Sequence, residues 1–120
     1  LKINPRLAPI KAAIFPLINN NRIIKIARNV FLDLKKDFNV SYDDSGSVGR
    51  RYSRSDEMGP PFCITVDEDS LKKNTVTIRN RDTTKQILVK IKDLREILRK
   101  LINSEVSFDK AGKKVNTRVK

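Results

Sequence analysis

Histidine is absent from this 120-residue sequence, and Cys63 is its only cysteine. Without histidine there is no His-based metal site, no histidine-activated serine or cysteine nucleophile, and no histidine general base. A lone cysteine excludes an intrachain disulfide, which fits a reducing compartment. Cys63 lies in an apolar run and reads as a small buried residue rather than a nucleophile. No apolar run approaches the ~20 residues that a helix needs to cross a bilayer. No signal peptide is visible, and a chain that opens on Leu1 rather than Met reads as part of a longer protein. Acidic residues are scarce as well: 14 Asp and Glu stand against 26 Lys and Arg, a formal net charge of +12. A domain this basic meets a polyanion, with nucleic acid the first candidate and an anionic membrane the second.

What is present is enough for one modest core, with 38% hydrophobic residues. The positive charge is spread along the chain. Residues 1–60 carry 11 basic and 6 acidic residues, and residues 61–120 carry 15 and 8. Lys110 to Lys120 hold five positive charges and no acid, so residues 104–120 read as a basic tail, ordered or solvated, after a domain over 1–103.

The patterning alternates in type. Ile10 to Leu17 is a nearly continuous apolar run, as in a strand buried on both faces. The asparagines at 19–21 could cap a helix from Arg22 to about Phe38, whose apolar stripe is Ile23, Ala27, Val30, Leu34 and Phe38. A short strand follows over Asn39 to Tyr42, then a loop over Asp43 to Gly49. A short helix over Arg50 to Met58 is closed by Gly59, Pro60 and Pro61. Phe62 to Asp67 reads as a central strand and Glu68 to Asn74 as a polar turn. Thr75 to Asn80 and Ile87 to Ile91 alternate and make a hairpin. A last helix begins at Asp93, which has capping-box spacing to Glu96. Helices between the early strands imply parallel pairing, and the late hairpin implies antiparallel pairing. The expected fold is α/β: a three-layer mixed sheet of about five strands with helices on both faces.

Three segments could carry chemistry. In the first, Asp43 to Glu57, Arg50 and Arg54 share a helix face, where like charges four apart repel by a few tenths of a kcal/mol. A phosphate or base edge between them would relieve this; so would salt bridges from Arg50 to Asp56 or Glu57. Arg51 points elsewhere, and Tyr52 either stacks on a base or packs against the sheet. The second segment clusters Arg79, Asn80, Arg81 and Asp82 at a strand end, either a binding turn or an ordinary polar one. The third, Asp67-Glu68-Asp69, lacks the spacing and the glycine of a calcium loop and reads as a solvated turn. Gly46 and Gly49 loosely resemble a phosphate loop but lack its lysine and spacing.

Taken in order, these segments resemble a known family. Val48-Gly49-Arg50-Arg51, then Asp56-Glu57-Met58-Gly59-Pro60-Pro61-Phe62-Cys63-Ile64-Thr65-Val66, is similar to the anticodon-binding domain shared by glycyl-, threonyl-, prolyl- and histidyl-tRNA synthetases. Gly49 to Glu57, the strand ending Val66-Asp67, and Val76-Thr77-Ile78-Arg79-Asn80-Arg81-Asp82 resemble the glycyl branch, as does the first strand from Leu7 to Leu17. The resemblance covers about Asn4 to Asn103. The glycyl enzymes usually have aspartate where this chain has Asn80, and Pro60 and Glu68 also depart from the pattern. The resemblance implies a fragment without catalytic or metal site or cofactor of its own, from a homodimeric, ATP- and Mg-dependent glycine–tRNA ligase of the cytoplasm or mitochondrion. The implied partner is tRNA-Gly and not a membrane. Glycine codons begin with two guanines, so the anticodon offers two cytosines, whose amino donor suits an acid and whose acceptors suit an arginine. The expected anticodon-binding residues are Arg50, Arg51, Arg54, Asp67, Arg79, Arg81 and Asp82. The rival readings are the accessory subunit of the mitochondrial DNA polymerase, which shares the fold, and a non-catalytic interaction module.

Overall fold

A computed structural model describes residues 4–115. The chain runs β1 (Ala12–Pro16), α1 (Asn21–Leu34), β2 (Val40–Tyr42), α2 (Val48–Met58), β3 (Phe62–Val66), α3 (Glu68–Lys73), β4 (Thr75–Asn80), β5 (Gln86–Lys90), α4 (Leu94–Ile102) and β6 (Lys113–Val115), with short 3-10 turns between some of them. The strands form one six-stranded sheet in the order β2-β1-β3-β4-β5-β6. The first two pairings are parallel and the last three antiparallel. From β1 the chain steps one way to β2 through α1, then back past β1 to β3 through α2. With right-handed crossovers, that reversal puts α1 and α2 on opposite faces of the sheet.

The larger core lies on the α1 face. Ile23, Ala27, Val30 and Leu34 of α1 pack against Ile14, Ile64, Val66 and Ile78 of the sheet, joined by Leu94 and Leu98 of α4. Each such side chain contributes ~1.5–3 kcal/mol of burial. The other face of β1 and β3 carries Phe15 and Cys63, which α2 covers through Tyr52 and Ser55. α2 extends over this half only. On the same face of β4 and β5, Thr77, Arg79, Gln86 and Leu88 are half-buried and Lys90 is exposed.

Several expectations need correction. The sheet has six strands, not about five. Glu68–Lys73 is a helix rather than a turn, because Asp67 and Ser70 cap it reciprocally. Asp93 makes no side-chain cap to α4; Glu96 instead pairs with Arg99. α1 ends at Leu34 and α2 begins at Val48. The sheet also continues past residue 103. Phe108 stacks on Phe62 with ring centroids 6.2 Å apart, and β6 adds to β5. Residues 116–120 of the expected tail lie outside the described residues.

Candidate nucleic-acid interface

The loop between β2 and α2 is organised by charge. Gly46 turns it at φ 69°, the left-handed region that favours glycine, and Ser47 caps α2 by accepting the Arg50 amide. Arg51 is only 1% exposed. Its guanidinium donates to the carbonyls of Pro16 at 2.8 Å, Gly46 at 2.9 Å, Asp44 at 3.0 Å and Ser45 at 3.4 Å, and to Asn19 Oδ1. No carboxylate takes part; carbonyl dipoles surround the charge. This is the crevice beyond the carboxyl ends of β1 and β2, between connections that leave for opposite faces, where open α/β sheets place ligands. Here the protein fills that crevice with its own arginine.

Arg54 forms a fork with Asp43, Nε to Oδ2 at 2.5 Å and Nη2 to Oδ1 at 3.0 Å, and also donates to the Ser45 carbonyl at 2.7 Å. These bonds hold the Asp43 carboxyl below the usual carboxylate range. The like charges of Arg50 and Arg54 are therefore relieved by Asp43 within the chain. Arg28 reaches Asp44 at 3.0 Å, and the Tyr42 hydroxyl donates to the same carboxylate at 2.8 Å. Burial, with Asp44 adding to it, pushes that hydroxyl up to about 12. Arg50 is exposed, and none of the described ion pairs uses it.

The opposite flank of α2 faces β4. Tyr52 meets Phe15 edge-on at 4.9 Å, and the Arg79 guanidinium stands 5.6 Å from the Tyr52 ring centroid. Tyr52 is thus part of the wall. Burial raises its hydroxyl, against which Arg79 pulls weakly. Arg81 donates to the Asp56 carbonyl at 3.4 Å and is otherwise exposed. The Asp82 side chain is exposed beside it. Asn80 shapes the turn: its Oδ1 accepts the amides of Asp82 at 2.9 Å and Thr83 at 3.2 Å. An aspartate could accept the same two bonds, which accounts for asparagine standing at this position.

The seven expected residues therefore do not converge on one pocket. Arg79 and Arg81 border α2 through Tyr52 and Asp56, and Asp82, next in the chain, lines a separate hollow with Pro5, Pro61, Phe62 and Ser104. Arg50 and Arg54 lie on the β2 flank of α2, and Arg51 lies beneath it. Asp67 is at the far end of β3, where its Oδ1 accepts the amides of Asp69 and Ser70. Among the described residues no three Cys, Asp or Glu side chains come together as a metal site. Glu68 and Asp69 occupy the first turn of α3, where negative charge suits the helix dipole. Cys63 is half-buried beside Ser55, and burial pushes its thiol up to about 12, away from the thiolate form. Sequence reasoning missed Asn19 and Asp43 as partners of the arginines; the acid pair Asp43-Asp44 beside three arginines was the available signal.

The sequence model described as "Anticodon binding domain" matches residues 11–101. Among curated proteins, the glycine–tRNA ligase of Rhodopirellula baltica is 55% identical over 94 residues, covering 78% of this chain and 18% of that protein. Glycine–tRNA ligases of Borrelia hermsii and Clostridium perfringens are 46% and 50% identical over 99 and 100 residues, covering 82% and 83% of the chain. The chain spans about a fifth of the length of these relatives. They lend no support to the polymerase-accessory reading. A mixed sheet that buries α2 against its parallel half, with arginines left at the end of β4, is thus accompanied by a match over most of the chain: it belongs to the anticodon-binding domain family.

Proposed function

We propose that this chain reads the anticodon loop of tRNA-Gly, as the anticodon-binding part of a longer glycine–tRNA ligase. The observation that carries the reading is the meeting of α2 and β4, where the Arg79 guanidinium stands 5.6 Å from the Tyr52 ring centroid and Arg81 donates to the Asp56 carbonyl, with exposed Asp82 next in the chain. Cytosine offers an amino donor next to acceptors on the same edge, and a carboxylate beside a guanidinium matches that pair. Anticodon-loop bases are splayed and accessible, unlike those of an RNA helix. In this reading Arg79, Arg81 and Asp82 face the bases, and Arg50 contacts the backbone. Arg51, Arg54 and Asp67 hold the loop and α3 in place. Glycylation, with its ATP and Mg, belongs to the remainder of the longer protein, as does pairing into a homodimer. The described residues offer no donor set for a metal. Among the described residues no helix is long and apolar enough to cross a membrane.

A titration of the chain with tRNA-Gly, and with the same tRNA altered at the second and third anticodon bases, tests this. The expected result is at least tenfold weaker binding to the altered tRNA at physiological salt, since each well-made base contact discriminates by ~1–3 kcal/mol. Equal affinity for the two tRNAs overturns the reading.

A further inference from the structure

We infer that Lys73, Lys90 and Lys92 form a second RNA-contacting surface, separate from the arginine groove, that holds the sugar–phosphate backbone. This rests on the reading of the domain as an RNA binder and extends it to where the strand leaves the groove.

The three lysines line a shallow depression of about 440 Å³ together with Asn74 and Ile91. Sheet geometry brings them together. Lys90 is the register partner of Thr75, and the Ile91 amide donates to the Asn74 carbonyl at 2.9 Å. Asn74 sits in the left-handed region at φ 57°, which ends α3 and turns the chain so that Lys73 borders the start of β4. None of the described ion pairs involves these lysines or the neighbouring Lys72. The acid nearest in the chain, Asp93, is exposed and likewise unpaired. Two lysines at the end of α3 would suit the helix dipole, but that does not account for Lys90 and Lys92, which belong to other elements.

The chemistry favours backbone over bases. Lysine ammoniums are point charges without the planar fork that reads a base edge, and the depression has no aromatic side chain for stacking. Position supplies the link to the groove. Arg79 pairs with Gln86 and Thr75 with Lys90, so Arg79 and Lys90 share the sheet face that α2 leaves open. They stand about four residues apart along the strands, ~13 Å. A strand whose bases enter beside Tyr52 can run across β4 and β5 with its phosphates on the lysines.

The test compares Lys73→Gln/Lys90→Gln with Lys35→Gln/Lys36→Gln, an equal charge change on exposed lysines just past the end of α1. Each is titrated with tRNA-Gly and with the anticodon-altered tRNA over a range of salt. The first variant should bind both RNAs roughly tenfold more weakly, and its salt slope should fall by about 1.5, the loss of two phosphate contacts. The ratio between the two RNAs should stay unchanged, and the control should move far less. If both variants weaken binding equally, or the first leaves affinity and slope as they were, the lysine surface is not an RNA contact, while the anticodon reading stands. If the unaltered chain binds neither RNA, both readings fall together.

Discussion

The Arg51 guanidinium donates to the Pro16 carbonyl at 2.8 Å across a separation of 35 residues. One buried cation thereby ties the end of β1 to the loop before α2. Lysine has a single attachment point where this arginine uses three nitrogens. Arg51→Lys should leave several carbonyls without donors and cost about 3 kcal/mol of stability. Urea denaturation measures this directly, and a variant as stable as the original would show that the carbonyl cage is dispensable.

Arg79 and Arg54 should part company in binding. Arg79 stands over Tyr52 in the open groove, whereas Arg54 is engaged by Asp43. Arg79→Ala should weaken binding to tRNA-Gly about tenfold or more and reduce discrimination against the anticodon-altered tRNA. Arg54→Ala should act through the loop, with a smaller loss and discrimination largely kept. The reverse ranking in a titration would move the site to the β2 flank.

The Asp43–Arg54 fork sets a pH dependence. The folded pKa of Asp43 lies below its unfolded value of about 3.9. The pair therefore stabilises the fold above that value, and the contribution disappears as the pH falls through the lowered folded value. Asp43→Asn should flatten the acid limb of the stability curve, read from denaturation midpoints between neutral pH and about 2.5. An acid limb parallel to that of the unaltered chain would exclude Asp43 as a source of the dependence.

Asn80 should prove replaceable by the residue that organises the same turn. Asn80→Asp keeps an acceptor for the amides of Asp82 and Thr83 and should be close to neutral in stability. Asn80→Ala removes it and should cost about 1 kcal/mol. Thermal denaturation of the two variants distinguishes a turn former from a base contact: a base contact would lower RNA affinity in Asn80→Ala by more than the lost turn explains.

Much of this architecture is legible in the residues. The apolar run at Ala12–Pro16 and the alternation at Thr75–Asn80 and Gln86–Lys90 declare their strands, and the stripe of Ile23, Ala27, Val30 and Leu34 declares α1. What escapes reading depends on partners distant in the chain. β6 consists of two lysines and a valine with no pattern of its own, and pairing with β5 makes it a strand. α3 is six residues long with little apolar periodicity, and its signal lies in Asp67 and Ser70, three positions apart. Arg51 could not be seen as buried because arginine is almost never so. The division of the arginines between two flanks follows from where α2 sits on the sheet, which helix periodicity alone does not give.

The two outermost strands, β2 and β6, have three residues each, shorter than the four strands they enclose. An edge strand offers unpaired backbone groups to any passing chain, and short or lysine-bearing edges resist such pairing. Among the described residues β6 carries exposed Lys113 and Lys114, and charge of that kind on an edge disfavours pairing with another copy. Like charge on such an edge also holds copies of a domain with a net charge of +12 apart.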